Sequence, residues 1–167
     1  MLRGRHPSVD GAWYRAENTV NEPRIRDDLP IMLGGGGERK TFGLAARYAD
    51  HLNIICDPAD LPRKLEALDQ RCAEVGRDRA GIETSTLVSL MVDDDGDRAR
   101  RLQRDHLRKI GANPDAMSDE EYRAATARQF AGTPDDVAAD LQRRVLDPGV
   151  EGIIVNLVPN GHEPGVV

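Results

Sequence analysis

Cysteine is almost missing from this chain: Cys56 and Cys72 are all it has. Two cysteines build no disulfide framework and form no CxxC pair, so a reducing compartment is expected and the expected localisation is cytoplasmic. A secretory leader is missing as well. The start MLRGRHPSVDGAWYR is basic but carries no apolar h-region. No apolar run approaches the ~20 residues that a membrane helix needs, so no membrane partner is expected. An excess of basic charge is missing too. The formal net charge is -6, which argues against a nucleic-acid backbone as partner, because phosphate chains want a basic face. A small anionic ligand stays compatible with that sum, since local charge can differ from it. No HExxH, no Ser–His–Asp signature and no metal quartet is present, so no metal site is expected. The acidic DDDGD of residues 93–97 lacks the spacing and closing glutamate of a calcium loop. It is expected to be a solvated turn that caps the next helix.

What is present alternates. The first segment, residues 1–28, shows no sustained periodicity and is punctuated by Pro7, Gly11, Asn18, Asn21 and Pro23. It is expected to be an irregular lead-in, and its length points to sequence missing upstream. Ile31, Met32 and Leu33 then form a short apolar strand of the kind buried on both faces. Glu38 to Tyr48 predicts a helix with Phe42, Ala45, Ala46 and Ala49 on one face. HLNIIC (51–56) predicts a second strand. ADLPRKLEALDQRCAEVG predicts a helix buried through Leu61, Leu65, Leu68, Cys72 and Val75, with Gly76 as its C-terminal cap. Ile82 to Val92 is rich in β-branched residues and predicts a third strand. Helical material follows around Arg98 to Ile110 and in SDEEYRAATARQF, where Ser118 and Glu121 make a capping box. In the last unit Thr133 is the N-cap and Pro134 the first helical residue. A fourth strand centres on Ile153, Ile154 and Val155. Strand–helix alternation of this kind predicts a parallel α/β sheet with right-handed crossovers.

Four glycines, Gly34 to Gly37, separate the first strand from its helix. A glycine-rich turn at that junction presents backbone N–H groups at the positive end of a helix, and a phosphate can approach without meeting a Cβ. Gly35, Gly36 and Gly37 are therefore the candidate phosphate cradle, with Arg39 and Lys40 adding charge-assisted contacts. The motif is neither a GxGxxG fingerprint nor a P-loop. The competing reading is a connection whose glycines serve only tight packing. Glu38 favours it, since a carboxylate facing the site would repel an anion.

The stretch PIMLGGGGERKTFGLAARYADHLNI resembles the middle of bacterial luciferase-like flavin and deazaflavin enzymes. There a strand ends in a glycine-rich phosphate turn and the next helix runs into an ARYAD before a strand. The lead-in GRHPSVDGAWYRAENTVNEPRI and the ending FAGTPDDVAADLQRRVLDPGVEGIIVNL resemble the flanking blocks in the family's order. The GGGGE version is similar to members that use coenzyme F420. The resemblance implies a (β/α)8 barrel of the TIM type with its site at the C-terminal ends of the strands. Residues 29–167 would supply about half of it, strands five to eight. It also implies an oxidoreductase that moves a hydride between coenzyme F420, or alternatively FMN, and an organic substrate. Only Gly35, Gly36, Gly37, Arg39 and Lys40 match the family's site; no catalytic residue can be assigned from the chain.

Other residues weigh less. His162 and Asn156 follow or end the last strand and are candidates for the catalytic face. His51 is expected to be structural, His6 and His106 solvated, Cys56 and Cys72 inert hydrophobes. Two further readings stay open. One is a noncatalytic half-barrel with open edges near Ile31 and Ile153 and an uncovered apolar interior, which would self-associate or pair with a missing half. The other is a small four-stranded Rossmann-like domain, for which Asp57 stands near the diagnostic acidic position.

Overall fold

The computed structural model describes residues 4–23, 25, 26 and 28–156. The chain forms two compact units, Met1–Ile31 and Met32–Val167. In the first, β1 (Val9–Asp10) and β2 (Arg15–Ala16) pair antiparallel, with Val9 opposite Ala16. The Gly11 N–H donates to the Tyr14 carbonyl (3.0 Å), and Arg15 pairs with Asp10 (2.8 Å).

The second unit is a parallel sheet with helices. Its strands are β3 (Met32–Gly34), β4 (His51–Ile54), β5 (Glu83–Val92), β6 (Gln129–Gly132) and β7 (Gly152–Asn156). The helices are α1 (Thr41–Tyr48), α2 (Leu61–Glu74), α3 (Gly96–Lys109), α4 (Asp119–Ala125) and α5 (Pro134–Leu141). A π-helical turn, Gln142–Leu146, extends α5. All pairings in this sheet are parallel. β3 pairs with β4, β4 with residues 83–86 of β5, β7 with residues 85–89 of β5, and β6 with residues 89–92. Among the described residues β3, β4 and β5 lie side by side in chain order, and β6 and β7 both pair with β5.

Local signals place the helices. Ser118 and Thr133 each accept from the N3 amide while Glu121 and Asp136 reach back, so both helix starts carry capping boxes. Asp95 accepts from the Asp97 and Arg98 amides and caps α3, which is the role expected of the acidic run. Gly76 ends α2 in a left-handed conformation (φ 67°).

Side chains alternate across the sheet. Leu33, Leu52, Ile54, Val88, Phe130 and Ile153 point to the helices, where they join Phe42, Ala45, Ala46 and Ala49 of α1 and Leu61, Leu68 and Cys72 of α2. Three expectations need correction here. Met32 is 54% exposed rather than buried on both faces, because among the described residues β3 pairs with β4 alone. Val75 is exposed, and Lys64 is buried on α2 in its stead. Gln129 and Phe130, read as the end of a helix, open the strand Gln129–Gly132, and Phe130 enters the core.

The face away from α1 and α2, which the half-barrel reading expects to be apolar, is mixed. By register it carries Asn53, Ser85 and Gly152 in one row, Leu87 and Ile154 in the next, and Gln129, Ser89 and Asn156 in a third. His51 Nε2 lies 2.7 Å from Ser85 Oγ, and Asn53 Nδ2 donates to the same oxygen at 2.9 Å. His51 is structural, as expected. Among the described residues β3, β6 and β7 each pair with a single strand, so each leaves one edge of the sheet unpaired there.

Candidate functional site

The glycine turn joins β3 to α1. The Gly35 N–H donates to the Asn53 carbonyl (3.0 Å), the last bond between the two strands, and Gly35 has φ 148°, a conformation in which a side chain is strained. Gly36 then passes over the end of β4. A Cβ there would lie 2.4 Å from the Ile55 carbonyl oxygen. Lys64 fixes the turn from below: its Nζ donates to the Gly36 carbonyl at 2.7 Å. At Gly37 a Cβ would sit 3.1 Å from Thr41 Oγ1. Tight packing therefore explains Gly36 on its own, and backbone conformation explains Gly35. The same packing shapes what the turn presents. Among the described residues, the amides of Gly36, Gly37, Glu38 and Arg39 donate to no acceptor, and Lys40 stands at the N-cap of α1 without a side-chain cap. Unpaired amides at a helix start are an anion-binding arrangement.

Glu38 does not spoil it. Its carboxylate is held by Lys64 (2.8 Å) and by Arg63 on α2. The Lys64 hydrogen bond first, then the charges of Lys64 and Arg63, keep it below the usual carboxylate range against the opposing effect of desolvation. Its charge is matched within the protein. Arg39 and Lys40 are exposed. They line a shallow recess of about 360 Å³ between α1 and α2, with Gly43, Leu44, Arg47, Arg71 and Glu74. The two cations thus flank the helix start, and none of Gly35–Gly37 lines their recess.

A second feature lies where β4 and β7 end and β6 begins, beside Leu87 and Ser89 of β5. A cavity of about 420 Å³ has Leu87, Ser89, Gln129 and Asn156 on the sheet side, Asp57 just past β4, His106 and Ile110 from α3 and its C-cap, and Ala124, Ala125, Ala127 and Arg128 around the end of α4. Asn156, a candidate from the sequence, lines it. His106 lines it too, contrary to the expectation that it is merely solvated. Ser89, Arg128 and Gln129 carried no sequence signal, because their common face appears only once the register of β6 and β7 on β5 is known. Asp57 accepts from its own Ala59 amide (2.9 Å) and caps a turn, which accounts for it without a ribose. His162 lies outside the described residues. Burial pushes the Cys56 thiol above its ordinary value, and Cys72 is buried on α2; neither is prepared as a nucleophile.

The luciferase-like monooxygenase family pattern matches residues 1–155. The chain belongs to that family. Solved structures agree with the luciferase-like fold. An F420-dependent secondary alcohol dehydrogenase in complex with an F420–acetone adduct superposes with TM-score 0.68 at 18% identity, over 91% of this chain and 50% of that one. The coenzyme F420-dependent tetrahydromethanopterin reductase of Methanopyrus kandleri gives 0.65 at 19%, over 92% and 52%. The oxygenating constituent of 3,6-diketocamphane monooxygenase from Pseudomonas putida, in complex with FMN, gives 0.60 at 16%, over 93% and 52%. This luciferase-like chain thus spans about half the length of the structures it matches, and the likeness is one of fold. No curated protein sequence matches it. Among the described residues, no helix is long and apolar enough to cross a membrane.

Proposed function

We propose that the chain is the coenzyme-holding half, strands five to eight, of a luciferase-like (β/α)8 oxidoreductase that transfers a hydride between coenzyme F420 and an organic substrate, with FMN as the alternative coenzyme. The observation that carries this reading is the glycine turn, whose open amides stand at the start of α1 while Glu38 is neutralised by α2. Gly35, Gly36 and Gly37 would receive the coenzyme phosphate, with Arg39 and Lys40 adding positive charge at the helix start. Among the described residues the turn fits a phosphate: unpaired amide donors, Arg39 and Lys40 without an acidic partner, and Glu38 held by Lys64 and Arg63. When bound, the coenzyme supplies the hydride chemistry. The protein's part is to anchor the phosphate, to orient the ring towards the strand ends, and to shape the cavity beside it.

A second reading rests on the open strand edges. β3 and β7 each have one described partner, so the chain acts as a noncatalytic half until a second half-barrel pairs with those edges. That half comes from another copy of the chain or from a different polypeptide. Titrating the purified chain with coenzyme F420 by fluorescence, with FMN in parallel, separates the readings. Saturable binding of either supports the coenzyme-holding half. Binding of neither, together with a self-associated species by light scattering, favours the second.

A further inference from the structure

The cavity at the strand ends carries more than its position. Most arginines of this unit are spent internally: Arg104 and Arg108 on Asp115, Arg143 on Asp140, Arg144 on the Ala127 carbonyl. Arg128 lines the cavity and has no carboxylate or carbonyl partner among the described residues. Asp57, the acid on the same cavity, turns its carboxylate to the Ala59 amide and makes no ion pair with Arg128. One residue on, Gln129 shares the inward row with Ser89 and Asn156. Its Nε2 reaches the Ala125 carbonyl at 3.5 Å, which fixes which end of the amide is the oxygen, and Oε1 is buried with no partner. A buried acceptor without a donor is costly, and a ligand that donates there removes the cost. The remaining lining is His106 and the apolar Leu87, Ile110, Ala124, Ala125 and Ala127.

We infer that this cavity is the substrate pocket for an organic acid with a hydroxyl near its carboxylate. Arg128 takes the carboxylate through paired N–H donors, Gln129 Oε1 accepts from the hydroxyl, and the apolar body lies against Leu87 and Ile110. The inference deepens the reading of the preceding section by naming a substrate class, and it is tested without the coenzyme. Three probes separate the contacts: mandelate, with both groups; phenylacetate, without the hydroxyl; and mandelamide, without the carboxylate. Binding to the full chain is measured by calorimetry and by perturbation of histidine resonances, His106 included.

Mandelate is expected to bind more tightly than either other probe. Arg128→Gln is expected to weaken mandelate and phenylacetate about tenfold, the loss of one charge-assisted pair, and to leave mandelamide unchanged. Gln129→Leu is expected to remove the advantage of mandelate over phenylacetate. Thermal melting of each variant checks that it is folded, and Arg128 is exposed, so its replacement disturbs no core. Equal affinity for mandelate and mandelamide overturns the inference, as does full mandelate affinity in Arg128→Gln or binding of none of the probes at millimolar concentration. Mandelate binding in a chain that fails to bind coenzyme F420 and FMN leaves the pocket standing and refutes the coenzyme reading alone.

Discussion

Replacing Gly36 by alanine isolates the packing that shapes the glycine turn. The added Cβ would sit 2.4 Å from the Ile55 carbonyl oxygen, which is backbone and cannot swing aside. The turn must rise off the end of β4, and that movement stretches the bond from Lys64 Nζ to the Gly36 carbonyl, now 2.7 Å. Overpacking of this kind costs about 1–3 kcal/mol. For a protein of this size each kcal/mol lowers Tm by roughly 2–4 °C, so a fall on the order of 4–8 °C follows for a 2 kcal/mol loss. Gly34→Ala is the internal control, because a Cβ at Gly34 meets nothing within 4 Å. That variant should melt within about 0.5 kcal/mol of the wild type. Thermal melting followed by circular dichroism reads both. If Gly36→Ala melts together with Gly34→Ala, the close approach does not hold the turn. The same geometry dictates which variants can probe a ligand there: valine at position 36 would unseat the turn with or without an anion, whereas Gly37→Ala needs only a shift of the Thr41 side chain.

Three further outcomes are expected. Ser85→Ala leaves Asn53 Nδ2 and His51 Nε2 without their shared partner; a loss of about 1–3 kcal/mol in urea unfolding is expected, and no loss would mean that the row is already hydrated. Thr133→Ala removes the cap that accepts from the Asp136 amide; it should cost about 1 kcal/mol, and Asp136→Asn should add little on top of it because the two act as one box. The carboxylates of Glu38, Asp115 and Asp136 are held below their usual range by Lys64, by Arg108 with Arg104, and by the Thr133 cap respectively. Their contribution is fully present above the ordinary carboxylate value and is lost as pH falls through the lowered folded values. Tm should therefore hold from neutral pH down to about pH 5 and drop below about pH 4, and a flat profile to pH 3 would contradict these assignments.

The parts of the fold written in local chemistry were legible in the sequence. Ser118 with Glu121, Thr133 with Pro134, and the apolar spacing of Phe42, Ala45 and Ala46 each act within one or two helical turns, and each element stands where its signal lies. What sequence hid depends on register between distant strands. Gln129 and Asn156 meet across Ser89 although they are far apart in sequence, and the segment that contains Gln129 reads as the tail of a helix until its pairing with β5 is seen. Lys64 falls on the apolar stripe of α2, three residues after Leu61 and four before Leu68, where its charge alone argues for solvent. It is buried because the Gly36 carbonyl and the Glu38 carboxylate lie beyond it. The polar inward face was misjudged for the same reason: His51, Asn53, Ser85 and Ser89 belong to two strands, and neither strand alone shows that they share one surface.

The most direct measurement is a coenzyme F420 titration of the full chain and of an Arg39→Gln/Lys40→Gln double variant, each with and without inorganic phosphate. If the start of α1 holds the coenzyme phosphate, the wild type binds saturably, phosphate competes, and the double variant binds about tenfold more weakly while melting like the wild type. Equal affinity in the two proteins, with no competition by phosphate, would contradict a phosphate site at the glycine turn.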